Sequence, residues 1–373
     1  MNVHLPDTPV CLIVPCTWHP ELAAVLSALL QQKLDGVHCI FVTETRSERA
    51  AHIIRELQQS FPNCIHVVAG SSRQCGQKNW NLLAGIARAR PLRPKIVLCC
   101  DDDCYPSSQD WLTRFLRGCA SHPGFACYTA FRVGALHSPV SLAQVLYYSA
   151  TKFQHIGIRI WPTAVWGGAM AFSLETFDRL GIAQVWTTTV VDDMTFTATL
   201  SLNRERAKYI AGADLLEVAQ DRSLAGVLRW MLRQMQYLRF YVPRACAAIL
   251  MVSWGAAAAL AWLLVRHPVG FGLYVVAGPI AAHGVFALGK SCPHWLRELA
   301  AVALYLPLMI IGAAPVILLC LCTPFVKWKQ RTYRMGMRGN VVGVERNGSP
   351  EQCVAETPAA QDVATQHPVR DIP

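Results

Sequence analysis

Ile96-Val97-Leu98-Cys99-Cys100-Asp101-Asp102-Asp103 is the stretch that decides the fold. Five apolar residues in a row, bounded by polar ones, read as a short strand covered on both faces. Such strands belong to parallel sheets flanked by helices. Three carboxylates follow at once. They repel one another and are costly together without a cation nearby. Open α/β sheets bind ligands beyond the carboxyl ends of their strands. Asp101 to Asp103 there form an oxygen-rich site suited to Mg²⁺ or Mn²⁺, more so when a diphosphate supplies further oxygens. Taken alone, the triplet reads equally well as a solvated acidic turn.

The same pattern repeats upstream. Val10 to Val14, Val37 to Thr43 and Cys64 to Ala69 read as three more strands. Pro20 is placed to open a helix, where a missing N–H costs nothing. Leu22, Val25, Leu26, Leu29 and Leu30 give that helix one apolar face. Ser47 is placed to cap a second helix whose inner face includes Ile53, Ile54 and Leu57. Trp80 to Ala89 reads as a third. This βαβαβαβ order predicts a mostly parallel sheet with right-handed crossovers.

Composition separates this half from the rest. Of 373 residues, 53% are hydrophobic and only 16% charged, with a net charge of +10. Average domains carry about 25% charged residues, so a disordered chain is excluded and a wholly soluble one is disfavoured. From Phe240 to Phe325 the only charged residues are Arg244, Arg266, Lys290, Arg297 and Glu298. Ala245 to Val265, Val269 to Leu288 and Leu299 to Cys322 are uncharged, and each reaches the ~20 residues needed to cross a bilayer as a helix. The third contains Pro307 and Pro315 and is the candidate for a broken or re-entrant helix.

Lys327, Lys329, Arg331, Arg334 and Arg338, with Trp328 and Tyr333, read as a cytoplasmic interface segment. The expected division is a cytosolic α/β domain over 1–237, a membrane region over 238–326, a basic interfacial segment over 327–340 and a disordered tail over 341–373. No signal peptide is recognisable at the start. The 15 cysteines show no C-x-x-C pair, which predicts reduced thiols. The positive charge clusters beside the apolar block, so nucleic acid is not expected as a partner.

Other residues stand out chemically. Asp192-Asp193 precedes an apolar-periodic run, and reads either as a helix cap or as a catalytic pair. Lys78 ends a glycine-containing loop at a helix start and is placed to meet phosphate. Gly167 and Gly168, after Trp166, precede a strand and permit close backbone approach, either to a ligand or in a plain tight turn. Arg229, Trp230, Arg233, Gln234, Tyr237, Arg239 and Tyr241 form a basic, aromatic helix before the first apolar stretch.

The order of these elements over residues 8 to 340 resembles membrane-bound family 2 type glycosyltransferases of the GT-A fold, most of all the ceramide glucosyltransferase branch. The resemblance is carried by Val14-Pro15, Phe41 to Glu44, Gln77 to Gly85, and Asp101 to Pro106 with Trp111-Leu112. Trp166 to Phe172, Asp192-Asp193, and Trp328-Lys329-x-Arg331-x-Tyr333-Arg334 add to it. One segment departs from the family pattern. Members carry (Q/R)-x-x-R-W before the membrane region. Here Arg229-Trp230 has Gly226 three residues ahead, and Arg233-Gln234, with Gln in place of Trp, has the better offset.

The resemblance implies a GT-A nucleotide-sugar-binding domain followed by a helical membrane region. It implies inverting transfer of a hexose, glucose foremost, from a UDP-sugar to a membrane lipid hydroxyl such as that of a ceramide. Asp103 and Asp101 are then the ligands of a divalent cation, Mn or Mg. Asp101, Asp102, Lys78, Asn81 and Glu44 are implied on the nucleotide-sugar side, with Glu44 at the nucleobase or ribose. Trp166, Gly167 and Gly168 are implied on the acceptor side. Asp193 is the implied general base, its pKa raised by Asp192. Arg233 and Gln234 complete the implied catalytic group, Arg233 adding positive charge at the diphosphate. The alternatives are a polysaccharide synthase of the same superfamily and a catalytically inactive membrane scaffold.

Overall fold

A computed structural model describes residues 9–32, 34, 36–134, 141–218, 222–273, 315–316, 318–337 and 339–346. The amino-terminal strands are as expected: β1 Val10–Pro15, β2 Val37–Thr43, β3 Cys64–Val68 and β4 Ile96–Cys100. Between them run α1 Leu22–Leu30, α2 Arg49–Ser60 and α3 Gln77–Ala89. The chain continues as β5 Cys104–Tyr105, α4 Trp111–Ala120, β6 Cys127–Thr129, β7 Arg132–Val133 and α5 Leu142–Ile160. Then come β8 Ala169–Phe172, α6 Leu174–Arg179, α7 Ile182–Trp186, α8 Asp193–Leu202, β9 Ala207–Tyr209 and β10 Leu215–Glu217. The last described elements are α9 Leu224–Tyr241, α10 Pro243–Arg266, β11 Phe325–Trp328, β12 Arg331–Met335 and β13 Val341–Arg346.

The central sheet has the order β3-β2-β1-β4-β8-β6-β9. β3, β2, β1 and β4 are parallel, and β8 is antiparallel to both β4 and β6. Both faces are covered, which is why these strands are mostly apolar. Along β1 the period-2 alternation sends Val10, Leu12 and Val14 into one core with Leu22, Leu26, Trp111 and Phe115. Cys11 and Ile13 enter the other with Leu82, Ile86, Trp186 and Phe196. The apolar stripe read on α1 is buried along its whole length. Every described thiol is free, and all but Cys322 are buried.

Local starts differ from expectation. Pro20 lies in a turn and α1 begins at Leu22. Glu48, not Ser47, occupies the cap position of α2. Helix α3 begins at Gln77, three residues before Trp80, so Lys78 lies in its first turn.

The described chain divides into two compact units. The first takes in Met1–Gly134, His155–Ala219 and Pro324–Pro373; the second takes in Ala135–Gln154 and Gln220–Thr323. In the second, Tyr147 meets Trp230 edge-on at 4.8 Å, and Leu146, Val227, Met231 and Val316 bury one another. Helix α10 is long and apolar enough to cross a membrane, with a mean hydropathy of 2.1, and among the described residues it alone meets that measure. The greater part of the second and third apolar stretches, Pro307 included, lies outside the described residues.

The carboxyl-terminal segment differs most from expectation. Its composition suggests an interfacial collar over 327–340 and a tail over 341–373. Instead β11, β12 and β13 form an antiparallel three-stranded meander within the first unit. Val326, Arg331, Tyr333 and Met335 are buried. Its last strand is drawn against the α/β domain by Val341 N–H donating to Thr188 O at 2.7 Å. Residues 347–373 lie outside the described set.

Candidate active site

The parallel strands β1, β2, β3 and β4 all end on one edge of the sheet, and the site is built from the segments that leave those ends together with the lead into β8 and the start of α8. After β4 the chain turns through Asp101, Asp102 and Asp103 into β5, which pairs with β10. Val218 N–H donates to Asp103 O at 3.0 Å, fixing that turn from the far side. After β1, Thr17 N–H donates to Asp102 Oδ2 at 2.6 Å, and His19 Nε2 donates to Asp102 O at 2.8 Å. Burial pushes the Asp102 carboxyl up to about 6, with Asp103 adding to the shift and the charge of Lys329 opposing it.

Lys78 is the cation at the centre. Its Nζ lies 2.7 Å from Asp101 Oδ1 and 3.0 Å from Asp192 Oδ2, and its side chain is only 14% exposed. Burial opposes its charge, but Asp101, Asp192 and Asp193 together hold it protonated, so its pKa stands well above the ordinary lysine value. The first turn of α3 is set by close packing. A Cβ on Gly76 would stand 2.8 Å from Val190 C, and Asn79, fully buried, donates to Thr189 O at 3.0 Å.

Asp192 and Asp193 open α8 but do not cap it in the usual way. Asp192 is buried beneath Lys78. Asp193 Oδ2 accepts from Gly167 N–H at 3.1 Å and its Oδ1 from Met194 N–H at 2.7 Å. Burial first, and then the charge of Asp192, push Asp193 up to about 7, against Lys78 and these two amides. Gly167 is required by space. An added Cβ would stand 2.9 Å from both Asp192 Cγ and Lys78 Nζ. Gly168 is likewise closed off by the ring of Trp166.

The structure thus brings Asp101, Lys78, Gly167, Asp192 and Asp193 into direct contact. It places others differently. Trp166, expected on the acceptor side, is turned inward, with its ring 5.1 Å from that of Phe131. Asn81, expected at the nucleotide, is 4% exposed; it accepts from Gln77 Nε2 at 2.7 Å and donates to Val42 O, so it holds the scaffold. Glu44 lies just after β2, and its Oε1 accepts from Ser71 Oγ at 2.6 Å, from Arg331 Nη2 at 2.7 Å and from Arg346. Arg233 and Gln234 lie on α9 in the second unit, where Gln154 Nε2 donates to Gln234 Oε1 at 3.4 Å. Sequence reasoning missed the partnership of Arg331 and Arg346 with Glu44. The β-branched Val341, Val342 and Val344 were the available strand signal.

Among the described residues no three carboxylate, imidazole or thiol groups come together as a ready-made metal set. Asp101 and Asp103 offer hard oxygen donors two residues apart at the strand end. That fits an Mg²⁺-like ion, which takes one or two carboxylates and completes its shell with water and substrate phosphate oxygens.

The sequence profile of the family described as "Glycosyltransferase like family 2" matches residues 6–236. No curated protein sequence matches the chain. Among solved structures, the mannosyltransferase PcManGT from Pyrobaculum calidifontis, in complex with GDP-Man and Mn2+, is similar at a TM-score of 0.52 and 17% identity. The match covers 83% of this chain and 87% of that one. S. aureus TarS 1-349, in complex with UDP-GlcNAc, gives 0.43 at 13% identity over 90% and 99%. Glucosyl-3-phosphoglycerate synthase from Mycobacterium tuberculosis, in complex with phosphoglyceric acid, gives 0.41 at 14% over 62% and 79%. The likeness is one of fold, the GT-A arrangement, and the first of the three carries it.

Proposed function

The chain belongs to the family 2-like glycosyltransferases, and on that premise we propose that it moves a hexose, glucose foremost, from a UDP-sugar to a membrane lipid hydroxyl with inversion. The observation that supports this reading most is the position and environment of Asp193. A general base acts best with a pKa near the working pH, and Asp193 is pushed up to about 7 by burial and by Asp192.

The reaction requires a proton to leave the acceptor hydroxyl and charge to be balanced on the departing diphosphate. Asp193 takes the proton. The amides of Gly167 and Met194 hold its carboxylate in one orientation, and Lys78 limits how far its pKa rises. Attack from the side opposite the leaving group inverts the anomeric carbon. A divalent cation held by Asp101 and Asp103 would supply positive charge to the diphosphate oxygens. Lys78 is engaged by two carboxylates, which makes it an organiser of the acidic cluster rather than a free phosphate ligand.

The lipid acceptor is supported by the apolar block, since an active domain tethered at a bilayer meets a lipid hydroxyl at the interface without extracting it. The test is a donor-by-acceptor screen. Membranes containing the full chain are incubated with radiolabelled UDP-hexoses and lipid extracts, and products are identified by mass spectrometry. A labelled glycolipid with one donor is expected. No labelled lipid with any donor, together with no UDP release, overturns the reading. A labelled polymer in place of a glycolipid would point to the synthase alternative.

A further inference from the structure

Gln77 sits one residue before Lys78 and has a partner on every polar atom of its side chain. Its Nε2 donates to Gly70 O at 2.8 Å and to Asn81 Oδ1 at 2.7 Å. Its Oε1 accepts from Ser72 N–H at 2.9 Å and from Arg331 Nη1. Its backbone N–H donates to the Tyr333 hydroxyl at 3.3 Å. The other arm of the Arg331 guanidinium reaches Glu44 Oε1 at 2.7 Å.

One guanidinium therefore joins Glu44 after β2 to Gln77 in the first turn of α3, and Gln77 in turn ties down the Gly70–Gly76 loop after β3. Arg331 is 6% exposed and Tyr333 1%. A buried guanidinium is tolerated only when its fork is matched by acceptors. The pairing with Glu44 and Gln77 thus fixes where this strand docks. The neighbouring turn adds a positive charge. Trp328 pairs with Arg331 across β11 and β12, leaving Lys329 and Gln330 as a two-residue turn in which Lys329 is left-handed (φ +53°). The charge of Lys329 acts on Asp102 and on Glu48. All of these meander residues lie beyond residue 236, where the match to the family profile ends.

We propose that the β11–β13 meander is a working part of the donor side of the site. Arg331 and Tyr333 act as positioning residues that hold Gln77, and so keep Lys78 seated between Asp101 and Asp192. The role in turnover rests on the transferase reading; the role in holding the turn does not. A plain stabilising cap would also dock here, but loosening it would not act through Lys78.

The experiment uses the full chain in membranes, as Arg331→Met and as the milder Tyr333→Phe, which removes one hydroxyl and keeps the ring. Amide hydrogen exchange over residues 70–79 is expected to speed up at least tenfold in Arg331→Met, with β1 and β2 unchanged. Transfer kinetics are expected to show kcat lowered about tenfold. In a Lys78→Met background the same substitution is expected to lower the residual kcat less than twofold, because the group it positions is gone. Tyr333→Phe is expected to move both readouts in the same direction by less, and it decides the matter if Arg331→Met does not fold. Equal losses with and without Lys78, or unchanged exchange at 70–79, overturn the proposal. Absence of transfer by the unmodified chain overturns the transferase reading instead, and exchange alone then decides whether Arg331 holds the turn.

Discussion

In the proposed mechanism Asp193 combines two roles that pull against each other. An ordinary aspartate titrates near 3.9, whereas burial and Asp192 push this one up to about 7. The folded chain therefore binds more protons than the unfolded chain between about pH 4 and 7. Its stability falls as pH rises through that window. As the proposed base, Asp193 works only when deprotonated, so activity runs the other way. The acid limb of kcat/KM in the full-length protein is expected to bend near pH 7, and Asp193→Asn is expected to lower transfer by about 10²–10⁴-fold. The same substitution is expected to raise the melting temperature by a few degrees at pH 8 and not at pH 4. A variant that is inactive and no more stable at pH 8 would mean that the carboxylate carries no such burden. The carboxylate pair and Lys78 were legible in the sequence as residue types. Their mutual contacts were not, because Lys78 and Asp192 lie 114 positions apart and meet only through the sheet.

Helix α3 shows how an element is placed closely enough to aim one lysine. It lies against β1 and β2, and Gly85 is its point of closest approach. An added Cβ there would stand 3.1 Å from Val42 Cγ2 and closer still to Ile13 Cγ2. Two effects compete in Gly85→Ala. Alanine favours the helix by up to about 1 kcal/mol, and overpacking a stiff, β-branched neighbourhood costs about 1–3 kcal/mol. The second is expected to win, so the variant should melt several degrees lower despite its better helix former; a higher melting temperature would show that the neighbours give way. Strands β1 to β4 and the buried stripe of α1 were readable because their periods run for five residues or more. Strands β5, β6, β7, β9 and β10, of two or three residues each, are too short to show any period. The meander escapes a sequence reading for a different cause. Composition registers Lys327, Lys329 and Arg331 as charge, and it cannot register that Glu44 and Gln77 wait for Arg331 nearly 290 and 250 positions earlier.

On the scale of the molecule, the chain leaves the α/β unit at Ala219 and rejoins it at Pro324. With the apolar block seated in a bilayer, as proposed, its two flanks must lie on the same side, and the number of full crossings must be even. Three apolar stretches then cannot all cross. Protease sites inserted at Ser121 and Met337, both exposed, are expected to be cut from the same side of sealed vesicles; cutting from opposite sides would break the single unit to which both belong. The interrupted connectivity also orders events in time. Translation proceeds at about 5–20 residues per second, so Arg331 emerges roughly 13–57 s after Gln77 and Glu44, which it joins. Through that interval Glu44 and Gln77 face water and Lys78 lacks its brace. On the proposal made above, the turn that carries Lys78 gains its last brace only after the apolar block has been made, so the order of synthesis sets when the site can be completed.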